Sequence, residues 1–293
     1  MNILITGANG QLGNELRKPH PKTLSEGGGR NGYRFFFTDI DELDITNPDA
    51  VNAFFETNGI QTVINCAAYT AVDRAESDET VATLINATAV GYLADACNRT
   101  DATLIHISTD YVYDGCACKP YSEDHPTAPA SVYGRSKLAG EEAAMSTPKS
   151  VVIRTSWLYS SFGNNFVKTM LRLGKERETL NVVFDQTGSP TYAADLAQTI
   201  MKIVATSEQN LLKTGIFHYS NEGVCSWYDF AHEIMQQAGL KCVVKPIETK
   251  DYPTPATRPH YSVLNKACIK TEYGIEIPHW KDSLNRCLEE IFQ

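Results

Sequence analysis

The sequence predicts an α/β protein, a doubly wound parallel sheet with a smaller α+β lobe attached. Three observations lead there. Short runs rich in β-branched and aliphatic residues recur at Asn2–Thr6, Arg34–Thr38, Thr62–Cys66, Thr103–Ser108 and Val151–Thr155, each nearly continuous in apolar character, as strands covered on both faces require. Helical stretches separate them. The clearest runs from Asp78 to Cys97, where Val81, Leu84, Ile85, Ala89, Tyr92, Leu93 and Ala96 follow the three-and-four spacing of one buried face. A glycine cluster, Gly7, Gly10 and Gly13, sits directly between the first strand and the helix that includes Leu16. Strand and helix in alternation give parallel strands joined by helical crossovers.

The segment Lys18–Gly32 breaks the rhythm: it is rich in Pro, Gly, Ser and Lys and reads as an inserted surface loop or a frayed helix end. Beyond Thr155 the pattern is less regular, with a helix near Phe166–Gly174, a strand near Val182–Phe184 and a Pro-rich stretch from Lys245 to Pro259. A helix over Ala193–Val204 and a strand over Ile216–Tyr219 return to the first lobe. The expected division is residues 1–155 plus about 185–220 for a dinucleotide-binding domain, and about 156–184 plus 221–293 for a substrate domain.

The chain has 293 residues with 42% hydrophobic and 21% charged side chains, which excludes a disordered or fibrous class. A formal charge of −9 argues against a nucleic-acid or anionic-membrane surface, since those partners call for basic patches. Eight cysteines are scattered without the spacing of a disulfide scaffold and read as reduced thiols. Cys116 and Cys118 form a C-x-C pair that no second pair or histidine cluster completes, so no metal site is expected. The opening Met1-Asn2-Ile3-Leu4-Ile5 runs straight into glycines and lacks the pattern of a secretion signal, and there is no apolar run of about 20 residues to span a membrane. A cytoplasmic protein is the expectation.

Chemistry is carried by residues at the ends of the predicted strands, where ligands of such sheets sit. In Gly7-Ala-Asn-Gly10-Gln11-Leu12-Gly13, glycines let the backbone turn tightly and approach a pyrophosphate, while the helix start favours negative charge. Asp39, closing the second strand, suits the hydroxyls of an adenine ribose and disfavours a 2′-phosphate, so the residues lean slightly to NADH over NADPH. Asp44 and Ile45 are placed to contact the adenine. In Asn65-Cys66-Ala67-Ala68-Tyr69-Thr70, small side chains let a cofactor lie close to the backbone. Ser108-Thr109-Asp110-Tyr111 ends a strand, and Tyr133-x-x-x-Lys137 follows in a helix preceded by Pro129 and capped by Ser131. Tyr133 and Lys137 are one turn apart on one face. A phenol with a pKa near ~10 gains as an acid from a neighbouring ammonium that stabilises its phenolate. Thr109 is placed to hydrogen-bond the substrate carbonyl oxygen as charge develops on it. A Tyr-x-x-x-Lys pair is uninformative alone; its order after a glycine loop and two strand ends makes an active site.

With those residues in place the sequence resembles an extended short-chain dehydrogenase of Rossmann type. Over nearly its whole length it resembles the dTDP-4-dehydrorhamnose reductases. The phrases that carry the likeness are GANGQLG at Gly7–Gly13, LDIT at Leu43–Thr46, AAYTAVDRAE at Ala67–Glu76, STDYVYDG at Ser108–Gly115, YGRSKLAGE at Tyr133–Glu141, RTSWLY at Arg154–Tyr159, GNNF at Gly163–Phe166, DQTGSPTYAADLA at Asp185–Ala197, and Arg258-Pro-His-Tyr-Ser262. The resemblance implies reduction of a dTDP-linked 4-keto-6-deoxy sugar to dTDP-L-rhamnose, a precursor of surface polysaccharide, with NADPH or NADH, in a monomer or homodimer. It implies Tyr133 as proton donor, Thr109 as the group tuning it, and Lys137 as its electrostatic support. Thr109, Asp110, Tyr111, Trp157, Asn165 and Arg258 would meet the sugar nucleotide; Gly7, Gly10, Gln11, Leu12, Gly13, Asp39, Asp44, Ile45, Ala67, Ala68, Tyr69 and Thr70, with Tyr133 and Lys137, would meet the cofactor. Some relatives dimerise through a metal held by glutamates. Glu15 matches one of these, without a full set. Two other readings stand beside this one. A sugar-nucleotide epimerase or dehydratase shares the Tyr–Lys pair, but dehydratases carry Asp-Glu after the threonine where this chain has Asp110-Tyr111. A non-catalytic, nucleotide-binding regulatory subunit is disfavoured by the intact Thr109, Tyr133 and Lys137.

Overall fold

The structure is a computed structural model that describes residues 1–18, 32–208 and 211–293. The first half alternates as the sequence predicts, through β1 (Asn2–Thr6), α1 (Gln11–Arg17), β2 (Arg34–Phe37), α2 (Pro48–Asn58), β3 (Thr62–Asn65), α3 (Val72–Ala75), α4 (Glu79–Thr83), α5 (Ala89–Thr100), β4 (Thr103–Thr109), α6 (Val132–Ala144) and β5 (Ser150–Thr155). Next come β6 (Leu158–Tyr159), α7 (Phe166–Glu176), β7 (Thr179–Val183), β8 (Thr187–Gly188), β9 (Thr191–Tyr192), α8 (Ala193–Glu208) and β10 (Gly215–Tyr219). The chain finishes with β11 (Cys225–Ser226), α9 (Trp227–Gln237), β12 (Val243–Ile247), α10 (Ala267–Tyr273) and α11 (Trp280–Phe292). The expected loop over Lys18–Gly32 lies outside the described residues apart from its two ends.

Six strands form one parallel sheet in the order β10-β5-β4-β3-β1-β2. Strand order reverses between β1 and β3, which makes the crevice beyond their carboxyl ends the place for a ligand. β3 and β5 are buried at every position because helices cover both faces, and that explains their lack of polar alternation. On one face Ile3, Ile5, Leu12, Leu16, Ile105, Ile153, Leu196 and Ile200 share a core; on the other, Leu4, Val51, Phe55, Val63, Leu93, Leu104 and Val152 do. A separate core, with Leu171, Leu180, Phe230, Trp280 and Leu284, organises the smaller lobe. There β12 pairs in parallel with β7. Ile269 and Tyr273 of α10, from the stretch expected in the substrate lobe, pack into the core of the large sheet.

One expectation fails in phase. The helix expected from Asp78 to Cys97 is present, but a π turn at Leu84–Thr88 joins α4 to α5. The wider turn rotates the faces on either side of it relative to each other. Val81 and Leu84, expected in the buried face, are each 38% exposed, and Ala82, Asn86 and Ala87 point inward instead.

A buried ion pair ties three elements together behind the catalytic edge. Arg154 of β5 donates through Nε and Nη2 to the Glu141 carboxylate of α6, the Nη2 contact being 2.6 Å, and Ser108 of β4 donates to the same carboxylate at 2.5 Å. The Arg154 Nη1 bond to Tyr113 Oη, 2.6 Å, continues the network. Removing one partner of such a pair leaves an uncompensated buried charge. Arg154→Met is expected to lose about 3–5 kcal/mol in a denaturant titration, and a loss below about 1 kcal/mol would show that the pair does not anchor α6.

Candidate active site

The glycine loop is built by close backbone approach. Gly7 has φ +61°, and a Cβ there would stand 2.6 Å from the Ala67 nitrogen; a Cβ at Gly13 would stand 2.5 Å from the Cα of Ala8. Any side chain at either position would push the first turn of α1 away from β3 or from the loop itself. α1 starts at Gly10 with no side-chain cap, which leaves the first N–H groups of the helix for a ligand. This side-chain-free cradle at a helix start fits a dinucleotide pyrophosphate. Asp39 borders it: its Oδ2 accepts from the Asn9 N–H at 3.1 Å and its Oδ1 from the Ile40 N–H at 2.9 Å. Asp44 Oδ1 accepts from the Thr46 N–H and hydroxyl, and Ile45 is buried, so Ile45 has only its backbone to offer an adenine.

The small-residue strand end is pinned from behind. Asn86, inside the π turn, exchanges two hydrogen bonds with the Tyr69 backbone, accepting at 2.8 Å and donating at 3.1 Å, and donates to Ser136 Oγ at 3.0 Å. It fixes Ala68-Tyr69-Thr70 against α6. The sequence reading missed Asn86, and the unbroken three-and-four spacing around it gave no sign of the π turn.

α6 brings Tyr133 and Lys137 to the end of β4. Ser131 caps it as expected, accepting from the Gly134 N–H at 3.1 Å, and Glu76 accepts from the Val132 N–H at 2.9 Å. The Tyr133 ring meets Tyr111 edge to face at 5.5 Å. Burial pushes the Tyr133 phenol up, the hydrogen bond from Thr109 pulls the other way, and the charge of Asp110 adds to the rise. Thr109 Oγ1 donates to Asp110 Oδ1 at 3.0 Å. The same hydroxyl is in hydrogen-bond reach of the Tyr133 oxygen, so its single proton is shared between the carboxylate and the phenol. Asp110 is 3% exposed. Its Oδ2 closes no hydrogen bond of good geometry, although the Ser262 hydroxyl faces it and favours its ionised form. Burial nonetheless pushes this carboxyl up to about 6. Lys137 is turned to the Ile107 carbonyl at 2.6 Å, and burial lowers its ammonium to about 8 against the pull of Glu141 and Cys66. The groups acting on the phenol are Thr109, Asp110 and Tyr111.

The residues expected at a substrate come together across the lobes. Trp157 holds a left-handed backbone, φ +49°, unusual for a bulky residue. Trp227, which sequence reasoning did not single out, stacks on it at 3.6 Å between ring centroids and keeps the indole in place. Gly188 must lack a side chain, because a Cβ there would stand 2.6 Å from Ser262 Oγ and 2.7 Å from the Trp157 ring. Arg258 donates to Asp73 at 2.6 Å and to Tyr111 Oη at 3.3 Å. The Asn165 amide is fully occupied: it caps α7 through the Lys168 N–H and donates to Gln11 Oε1 at 2.9 Å and the Ser160 carbonyl at 2.7 Å. It joins the cofactor loop to the smaller lobe. Among the described residues no cluster of His, Cys, Asp and Glu could hold a metal ion; Glu15 is instead bridged by Lys18 to Glu290, at 2.7 and 2.5 Å.

Residues 1–292 match the family model described as RmlD substrate binding domain. The dTDP-4-dehydrorhamnose reductase of Aggregatibacter actinomycetemcomitans is 42% identical, covering 96% of each chain. A crystal structure of a dTDP-4-dehydrorhamnose reductase from Clostridium acetobutylicum superposes with a TM-score of 0.92 at 44% identity, over 100% of both chains. That of the Bacillus anthracis enzyme in complex with NADP gives 0.91 at 41%, over 99% of both.

Because its pKa is raised from 3.8 to about 6, Asp110 binds more protons folded than unfolded across that interval. It therefore subtracts stability as pH rises through about 6 and subtracts nothing well below 3.8. Asp110→Asn removes the penalty. The variant is expected to be more stable than the parent at about pH 7.5 by up to about 3 kcal/mol, the advantage closing toward about pH 4. Thermal melts at the two pH values check this; a variant no more stable at the higher pH contradicts it.

Proposed function

The chain belongs to the family described by the RmlD substrate binding domain, and on that premise we propose that it reduces dTDP-4-dehydro-L-rhamnose to dTDP-L-rhamnose with NADPH or NADH. The observation that carries the reading is the juxtaposition of Tyr133, Thr109 and Asp110 at the carboxyl end of β4, beside the open start of α1.

Gly7, Gly10, Gln11, Leu12 and Gly13 would hold the pyrophosphate, Asp39, Asp44 and Ile45 the adenosine end, and Ala67 to Thr70 the backbone wall beyond. Bound there, the reduced nicotinamide supplies a hydride. The chain's own part is the proton. Tyr133 donates its phenolic proton to the oxygen of the former ketone; even raised by burial, a phenol is a far stronger acid than the alcohol it forms, so the transfer runs downhill. Thr109 holds the phenol by a hydrogen bond, and Asp110 orients Thr109. Lys137 contributes positive charge behind the reacting centre, one helical turn from the phenol. Trp157, backed by Trp227, offers a flat apolar wall for a sugar, and Arg258 and Tyr111 are placed for the nucleotide. We set the reaction in the cytoplasm, in a monomer or homodimer; eight free thiols suit that compartment. No described helix is long and apolar enough to cross a membrane.

Tyr133→Phe keeps the ring and removes the proton. Turnover, followed as loss of NADPH or NADH absorbance with dTDP-4-dehydro-L-rhamnose and identification of the product sugar, is expected to fall at least about 100-fold. Cofactor affinity is expected to change by less than about threefold. Near-normal turnover would remove Tyr133 as the donor, and no oxidation by the parent protein, with cofactor bound, would overturn the reading as a whole.

A further inference from the structure

Behind Lys137 lies a string of buried polar groups that the reduction as described does not use. His106 is wholly buried in the middle of β4, its Nε2 3.5 Å from Lys137 Nζ and its Nδ1 3.0 Å from Asn65 Nδ2. The register that sets Asn65 opposite both Thr6 and His106 builds the string across three neighbouring strands. The direction of every hydrogen bond in it follows from one fixed donor. Ala67 N–H can only donate, and it meets Asn65 Oδ1 at 3.2 Å, where the Thr6 hydroxyl also donates at 2.6 Å. The amide oxygen of Asn65 is thereby oriented, and its NH2 is left to face the imidazole. An amide NH2 only donates, so Nδ1 of His106 accepts. The neutral imidazole then carries its proton on Nε2, aimed at Lys137.

An ammonium has three donors and no acceptor, so a charged Lys137 confronts another N–H; an amine, having a lone pair, would accept it. We propose that His106, oriented by Asn65, is a positioning residue of this active site that presents an N–H donor to Lys137 and so eases loss of the lysine's proton to solvent. The proposal rests on the reading of Lys137 as the catalytic lysine. In the step, one N–H bond of the ammonium breaks, its proton leaves to water, and the freed lone pair accepts the Nε2–H of His106. The other groups facing Nζ are Cys66 at the end of β3, the Ile107 carbonyl on β4 and Glu141 on α6. Cys66 and Glu141 favour the charged lysine, and burial opposes it. His106 itself stays neutral, because burial and the lysine charge hold its pKa well below the ordinary value. Poised in this way, Lys137 changes charge close to neutrality, and the positive charge it lends behind the phenol falls away as pH rises through about 8. The string also runs from Thr6, at the entrance to the glycine loop, to the lysine.

The test uses the free enzyme first. In long-range 1H–15N spectra of protein carrying 15N-histidine, with His106 assigned by its absence from His106→Gln, the expected pattern is the Nε2–H tautomer from about pH 6 to about pH 9. Its shift should step once with a midpoint near the lysine's value of about 8, and the step should vanish in Lys137→Met. An Nδ1–H tautomer, a charged imidazole or the absence of a step overturns the proposal. The second arm is the pH profile of reductase activity. Gln keeps an N–H donor where Nε2 stands, so His106→Gln should retain the alkaline limb, whereas His106→Phe should move it up by about one pH unit. An unmoved limb in folded His106→Phe overturns the proposal; if that variant does not fold, the spectra of the parent decide. Full turnover in Lys137→Met would sink the catalytic reading of the lysine while leaving the spectroscopic result intact, so the two failures are separable.

Discussion

A Cβ at Gly134 would overlap the carbonyl oxygen of Tyr111, and one at Gly140 would overlap that of Asn86, so α6 can lie where it does only because both positions lack side chains. From that close seat everything else at the catalytic edge takes its place. Gly134 brings Tyr133 against Tyr111 and the end of β4. Gly140 lets the middle of the helix rest on the π turn, whose Asn86 then holds the wall of small residues after β3. The next residue, Glu141, reaches Arg154 and Ser108 and locks the helix to β5 and β4. The groups of the candidate site are therefore placed by backbone proximity and a buried ion pair, both rigid devices, which is what the proposed proton donor, held to fractions of an ångström, would need.

The sheet supplies the second half of the geometry. Parallel register sets Thr6 opposite Asn65, Asn65 opposite His106 and Thr109 opposite Thr155. The glycine loop, the small-residue wall and the Thr109-Asp110-Tyr111 turn thus open on the same edge. Asn165 and Gln11 carry the contact across to the smaller lobe, and the Arg258–Asp73 pair closes another bridge between regions far apart in sequence. These bridges are polar and partly exposed, unlike the two lobes' cores. The lobes meet through groups that water can also satisfy, a suitable boundary for substrate to enter.

Much of this was legible in the sequence for a physical reason. Strands buried on both faces read as unbroken apolar runs, and the five runs identified match β1 to β5 within a residue or so at each end. The glycine loop and the Tyr-x-x-x-Lys pair were legible because each is a local spacing on one element. What was not legible depends on contact between elements. The phase slip that exposes Val81 and Leu84 comes from a π turn that periodicity assumes absent. The Trp227 stack under Trp157 joins residues 70 positions apart, and nothing in either segment announces the other.

Burial moves all three titratable groups of the site in the direction of the uncharged state: Tyr133 and Asp110 upward, Lys137 downward. That common direction bears on the protonation state in which the resting enzyme waits. Oxidation of an alcohol needs a base, and the base available here would be the Tyr133 phenolate. Burial disfavours it, and an ionised Asp110 disfavours it further. Reduction asks only that the phenol surrender a proton to an alkoxide, a stronger base than the phenolate and one whose charge the same burial also disfavours. A polar string that also eases the lysine toward neutrality leaves the phenol in that same protonated form. The site's dryness, set by how tightly α6 is seated, therefore holds the resting enzyme in the proton-loaded form from which reduction starts, while the net direction is left to the relative amounts of keto sugar, alcohol, and reduced and oxidised cofactor.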